Sequence, residues 1–185
     1  IKPEMVLDEG GEITREHFPE LNRPVALIAV AEKGYMSFDL TVDQAGGHSS
    51  TPAKETAIDI LSKGLVKLRE KQMPYKVLPV IQEMFQRIGP SLSFAQRMAI
   101  ANPWLFEKLL VGQLEKDKSS NALIRTTIVP TIVQSGIKDN VIPSVAKAIV
   151  NTRILPGQTP DDVEFFIRAQ VDDPRIVVTK ASQPD

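Results

Sequence analysis

Two histidines, one pair of adjacent carboxylates followed by glycines, and no cysteine are the raw material for chemistry in this sequence. The lack of cysteine removes disulfides, thiolate nucleophiles and cysteine-ligated zinc together. His48 lies in Asp43-Gln44-Ala45-Gly46-Gly47-His48-Ser49-Ser50-Thr51-Pro52, where a strand pattern gives way to a helix pattern. Gly46-Gly47 reads as a sharp turn whose backbone angles a residue with a Cβ would resist, leaving the imidazole projecting. Thr51 reads as a helix N-cap and Pro52 as a first-turn residue. An imidazole presented in this way can donate a hydrogen bond or move a proton. A glycine-rich connection can equally carry a solvated polar residue, and local context leaves both readings of His48 open. His17, in Arg15-Glu16-His17-Phe18-Pro19, reads as a surface residue. Asp8-Glu9-Gly10-Gly11 is either a carboxylate ligand for a divalent cation or a solvated acidic turn, with the turn ranked higher on sequence alone.

The elements that must hold these residues follow from periodicity. Met36, Phe38, Leu40 and Val42 alternate with Ser37, Asp39, Thr41 and Asp43, a strand with one buried face. Ala57, Ile58, Leu61, Leu65 and Leu68 recur at helical spacing, and Met73-Pro74 ends that helix. Val25 to Val30 is a continuous apolar run, expected to be a strand covered on both faces. Between Pro79 and Lys118 three helical stripes follow one another, and Phe85, Phe94, Trp104 and Phe106 sit there; core packing is expected for them, with an apolar cap as the alternative. Leu123 to Val133, Val145 to Ile154 and Ile176 to Thr179 return to strand patterning. Thr159-Pro160-Asp161-Asp162 opens a helix through Val163, Phe166, Ile167 and Val171. With the helical segment set aside, the order is βαββαβ, so the expected fold class is α+β: a four-stranded antiparallel sheet with two helices on one face, ferredoxin-like, plus a helical insertion.

The 185 residues are 42% hydrophobic and 24% charged, which suits an ordinary globular core. A net charge of -1 and the absence of a dense Lys/Arg run argue against nucleic acid as a partner. No apolar run approaches the ~20 residues of a membrane-spanning helix.

Four stretches taken together are specific: Leu7-Asp8-Glu9-Gly10-Gly11, Gly46-Gly47-His48-Ser49-Ser50, Asn140-Val141-Ile142-Pro143, and Asn151-Thr152-Arg153-Ile154-Leu155-Pro156-Gly157. In order and spacing they resemble the two-zinc amidohydrolases that include aminoacylase, glutamate carboxypeptidase and carboxypeptidase S. Glu32-Lys33-Gly34, Lys54-Glu55-Thr56, Asn121-Ala122-Leu123-Ile124-Arg125-Thr126-Thr127 and the helical segment are most similar to the carboxypeptidase S and N-fatty-acyl amino acid hydrolase branch. The resemblance implies that residues 1–31 are a remnant of a catalytic domain. It makes residues 32–185 a lid or dimerisation domain, with a helical insertion at about 76–120. It further implies that Glu9 is a zinc ligand, that His48 donates a hydrogen bond to the tetrahedral oxyanion, and that Asn140 and Arg153 hold the substrate's free carboxylate. In dimeric members the lid histidine reaches the neighbouring subunit's active site. A guanidinium grips a carboxylate through two parallel hydrogen bonds, and a preorganised donor aimed at developing charge lowers a barrier by ~3 kcal/mol.

The same resemblance implies what the chain lacks. The family takes its other zinc ligands and its general base from an upstream His-x-Asp stretch, an upstream Glu-Glu pair and a downstream histidine, none of which is present in suitable form. The parent is therefore expected to use two zinc ions and to cleave peptides or N-acyl amino acids. The chain alone is expected to be inactive, to bind no zinc, to partner the catalytic domain of its own polypeptide and to form a homodimer through the lid. Phe85, Phe94 and Trp104 are candidates for covering an apolar acyl chain. Two other readings remain: a pure self-association module, and a regulatory small-molecule-binding domain of the same topology.

Overall fold

A computed structural model describes residues 11–15, 21 and 23–181. In chain order the elements begin with β1 (Glu12–Thr14), β2 (Val25–Leu27), β3 (Gly34–Asp43), β4 (Gly47–His48), α1 (Ala57–Glu70) and α2 (Pro79–Ile88). A short 3-10 turn, Gly89–Ser91, leads to α3 (Phe94–Ala101), α4 (Pro103–Leu114) and α5 (Lys118–Leu123). They end with β5 (Thr127–Ser135), β6 (Val141–Ile142), β7 (Val145–Ile154), α6 (Pro160–Val171) and β8 (Ile176–Lys180). The chain divides into two compact units, one of residues 1–32 with 77–121 and one of residues 33–76 with 122–185.

The second unit is an antiparallel sheet in the order β5-β7-β3-β8. Its alternation is what the sequence pattern requires. Phe38 lies opposite Val150, Leu40 opposite both Ala148 and Val178, and Val42 opposite both Ala146 and Ile176. These rows are almost completely buried. They meet Ala57, Ile60, Leu61 and Leu68 of α1 and Val163, Ile167 and Val171 of α6, so both helices cover one face of the sheet. Strand residues point alternately to the two faces, so Ser37, Asp39, Thr41, Ile149, Asn151 and Arg153 are left on the other.

Both helices start with a reciprocal capping box. The Thr159 hydroxyl accepts from the Asp162 backbone N–H while the Asp162 carboxylate accepts from the Thr159 backbone N–H. Pro160 follows at the first helical position, as its sequence signature indicates. For α1 the expected start is corrected: the cap is Thr56, paired reciprocally with Asp59, and not Thr51. The acidic partner three residues on decides this, because it satisfies a second orphan N–H that nothing near Thr51 would satisfy.

The first unit holds the β1-β2 pair and helices α2 to α4. Here two expectations fail. The run from Val25 to Val30 pairs only over Val25–Leu27, and Ile28 and Val30 are largely exposed. Trp104 and Phe94 are 81% and 71% exposed and do not pack in a core. For Trp104 the physical reason is that α4 is apolar around nearly its whole circumference, so burying one side leaves the other uncovered, whereas Phe94 is the first residue of α3.

On the sheet unit, Arg175 links the segment before β8 to the segment before α1: its guanidinium donates to Asp173 and to Glu55, which also accepts from Lys63. Arg175 holds the Asp173 carboxyl down at about 2, and Lys63 and Arg175 lower Glu55 as well. A carboxyl whose folded pKa is depressed contributes stability above its unfolded pKa, about 3.9 for Asp, and loses it as pH falls through the folded value. The difference in urea midpoint between the parent and Arg175→Gln is therefore expected to be level above about pH 5 and to shrink as pH falls from about 4 towards 2. Because Arg175 is exposed and its two carboxylate partners only half-buried, 1 M salt is expected to reduce that difference at every pH.

Candidate functional site

Beyond Asp43, which faces Val145, the β3-β7 ladder does not stop. The Gln44 N–H donates to the Ser144 carbonyl at 2.8 Å, Gly47 and His48 of β4 pair with Ile142 and Val141 of β6, and the Ser49 N–H donates to the Asn140 carbonyl at 3.1 Å. This extension brings the segment of His48 beside that of Asn140. Gly46 sits at the closest approach: a Cβ there would lie 2.8 Å from the Ile142 carbonyl oxygen and 3.3 Å from the Ser144 nitrogen. Neither Gly46 nor Gly47 has a positive φ, so the expectation of a turn needing special angles is corrected. Glycine is needed at Gly46 for room, while a Cβ on Gly47 would meet open space.

His48 is exposed, and the Thr51 N–H donates to its carbonyl at 3.1 Å, closing a turn over His48 to Thr51. The imidazole is held by Ser50. Its Nδ1 lies 2.8 Å from the Ser50 hydroxyl and 3.2 Å from the Ser50 backbone nitrogen. A backbone N–H can only donate, so Nδ1 accepts, and in the neutral ring the proton resides on Nε2. The group presented to solvent is thus an N–H donor. Ser50 belongs to the motif around His48, yet nothing in sequence spacing discloses that it sets the tautomer.

Arg153 occupies a different place. It stands on β7 opposite Tyr35 of β3 and Thr127 of β5, on the face that α1 and α6 leave uncovered. Its guanidinium carbon lies 5.1 Å from the centre of the Tyr35 ring, within cation–π range. One row along, the Asn151 amide donates to the Ser37 hydroxyl at 3.2 Å, and that hydroxyl is 3.4 Å from the Tyr35 hydroxyl. Tyr35 reads in the sequence as one more alternating strand residue; only the pairing register reveals it as the guanidinium's neighbour.

Val145 and Arg153 are eight residues apart on one strand, about 26 Å at ~3.3 Å per residue. Within one chain the structure therefore groups His48 with Asn140 and sets Arg153 at the far end of the sheet. Glu9 and His17 lie outside the described residues. Among the described residues no group of three or more His, Cys, Asp or Glu side chains could hold a metal ion, and Glu9, the one ligand expected of this chain, lies outside them. No helix among them is long and apolar enough to cross a membrane.

The sequence profile of the peptidase dimerisation domain of the M20 family matches residues 30–176. The chain is similar to the human (Homo sapiens) N-fatty-acyl-amino acid synthase/hydrolase PM20D1, with 41% identity over 172 residues, 92% of this chain and 34% of that protein. It is similar to probable carboxypeptidase S-like 2 of Dictyostelium discoideum, with 36% identity over 180 residues, 97% of this chain and 34% of that protein. Carboxypeptidase S of Saccharomyces cerevisiae is 27% identical over 161 residues, 80% of this chain and 27% of that protein. The chain spans about a third of the length of the first two of these curated relatives.

Replacing Gly46 by Ala is expected to loosen the β4-β6 pair while sparing the main sheet, because the added methyl meets backbone that cannot rotate away. Amide hydrogen exchange should show faster exchange at Ser49 and unchanged protection at Phe38 and Leu40. Equal protection at Ser49 in both proteins would remove this account of the glycine.

Proposed function

The chain belongs to the M20 peptidase dimerisation domain family, and from that premise we propose that it completes, across a two-fold axis, the active site of an amide hydrolase. The parent would cleave the amide bond of an N-acyl amino acid or of a peptide's C-terminal amino acid. The observation that carries this reading is the separation of the three candidate residues: His48 and Asn140 at one end of the sheet, Arg153 at the other.

One chain cannot close these groups on a single small substrate. Two copies can. When a strand pairs with its own copy about a two-fold axis, the two run in opposite directions and their unlike ends become neighbours. The sheet's outer strands are β5 and β8, and pairing through either brings the His48 end of one protomer towards the Arg153 end of its partner. Residues 1–31 then belong to the catalytic domain and residues 32–185 to the lid, with the helical insertion at about 76–120.

In this arrangement the Nε2–H of His48 donates to the oxyanion that develops as the amide carbonyl becomes tetrahedral. Loss of one such donor typically costs 10²–10³ in turnover, about 3–4 kcal/mol. Arg153, braced by Tyr35, takes the substrate carboxylate through parallel N–H bonds, and the Asn140 amide adds a further donor. Zinc, when bound in the parent, would supply an activated water; Glu9 is the one ligand assigned to this chain, and the remaining ligands belong to other parts of the parent polypeptide.

The isolated 185-residue chain is accordingly expected to release no product from N-acyl amino acids or dipeptides in the presence of zinc. Zinc-dependent turnover abolished by Glu9→Ala would contradict that. In the full-length parent, His48→Ala and Arg153→Ala should each be nearly inactive, and mixing them should restore activity. Half of randomly mixed dimers carry one intact site of two, so recovery approaches about a quarter of the parent's rate. Two inactive variants that stay inactive when mixed, although light scattering shows mixed dimers, would leave self-association without a shared site as the better reading.

A further inference from the structure

On the face of the sheet that α1 and α6 leave uncovered, four side chains form a square at the Arg153 end. Tyr35 and Ser37 are successive residues on that face of β3, and Arg153 and Asn151 stand directly opposite them on β7. Side chains paired in this way across an antiparallel ladder are ~5 Å apart at Cβ, close enough to act on one small group. Tyr35 is 45% exposed and Arg153 is exposed, so both polar ends reach solvent.

The hydrogen bonds within the square run one way. The Asn151 amide nitrogen can only donate, so at 3.2 Å the Ser37 hydroxyl is its acceptor. The Ser37 hydroxyl in turn donates to the Tyr35 oxygen at 3.4 Å. The Tyr35 oxygen is therefore an acceptor inside the square, and its own proton points elsewhere; among the described residues no protein acceptor takes it. Water alone satisfies an ordinary surface phenol. This one differs because the Arg153 guanidinium carbon lies 5.1 Å from its ring centre and makes the same spot attractive to an anion.

A carboxylate has about four lone-pair sites, so after taking two parallel N–H bonds from a guanidinium it can still accept from an O–H. We propose that the Tyr35 hydroxyl is a further donor to the substrate carboxylate, beside Arg153, and that Ser37 and Asn151 hold its proton in that direction. The proposal rests on the reading of Arg153 as the carboxylate clamp and gives Tyr35 two tasks: its ring braces the guanidinium, and its hydroxyl binds. It also sets a preference. A primary carboxamide replaces one acceptor oxygen by an NH2 that can only donate, and so leaves one of the site's donors unmatched.

The test uses the full-length parent, with N-decanoylglycine as substrate and N-decanoylglycinamide as competitive inhibitor. Tyr35→Phe keeps the ring against Arg153 and removes only the hydroxyl, and because Tyr35 is at the surface the core is left alone. It is expected to raise KM for the acid about tenfold, the scale of one lost hydrogen bond to a charged group, with kcat within about twofold. Inhibition by the amide should be unchanged. Tyr35→Leu, which loses the ring as well, should raise KM further. Ser37→Ala should raise it about threefold, and Ser37→Thr, which keeps a hydroxyl, should restore the parent's value. A Tyr35→Phe enzyme with the parent's KM, alongside a raised KM in Tyr35→Leu, would leave only the ring at work and overturn the hydroxyl's role. Equal weakening of acid and amide by Tyr35→Phe would overturn it too. The reading of Arg153 fails by a different result, an Arg153→Ala enzyme that keeps the parent's KM for the acid.

Discussion

The antiparallel ladder between β3 and β7 governs the sheet unit. Ten residue pairs run from Gly34–Ile154 to Asp43–Val145, and the backbone continues to pair through Gln44, Gly47, His48 and Ser49. A ladder of this kind has two ends and two faces, and a residue's position along it fixes which end and face it serves. One end carries His48 and Asn140, the other Arg153 against Tyr35, and no rotamer brings the ends together. Assembly is the economical way to join them, which agrees with membership of a family named for dimerisation.

The remainder of the sheet unit follows from burying one face of that ladder. Phe38, Leu40 and Val42 form rows with Val150, Ala148, Ala146, Val178 and Ile176 that only two amphipathic helices can cover without leaving apolar surface in water. Gly64 lets α1 come close, since a Cβ there would lie 2.3 Å from the Ile176 methyl. The uncovered face is then free to carry Arg153, Tyr35, Asn151 and Ser37, residues whose polar atoms need solvent or one another.

The helical unit follows a different logic. Its helices are short and α4 is apolar on more than one side, so packing satisfies part of that surface, encloses a cavity with another part and leaves Trp104, Leu105 and Leu109 exposed. Hydrophobic periodicity has little to say about such a segment, because a helix without a polar face does not indicate which side is inside. For that reason core packing is the natural expectation for Trp104, and for that reason it fails there.

What the sequence by itself determined is everything that depends on local alternation and spacing: the strands near 35–43, 145–154 and 176–179, the helix begun by Thr159-Pro160, the α+β class, and the motifs whose family resemblance the sequence profile bears out. Those features are set by each residue's nearest neighbours along the chain. Only the tertiary structure decided that α1 starts at Thr56, that Gly46 is required for room, that Ser50 fixes the His48 tautomer, that Tyr35 lies against Arg153, and that Arg153 is remote from His48 within one chain. The Thr56–Asp59 and His48–Ser50 contacts are local and turn on backbone and side-chain geometry that spacing leaves open. The Gly46, Tyr35 and Arg153 placements depend on the register between segments far apart in sequence. Register is chosen by summed burial and backbone pairing over the whole sheet, and no single segment contains that sum.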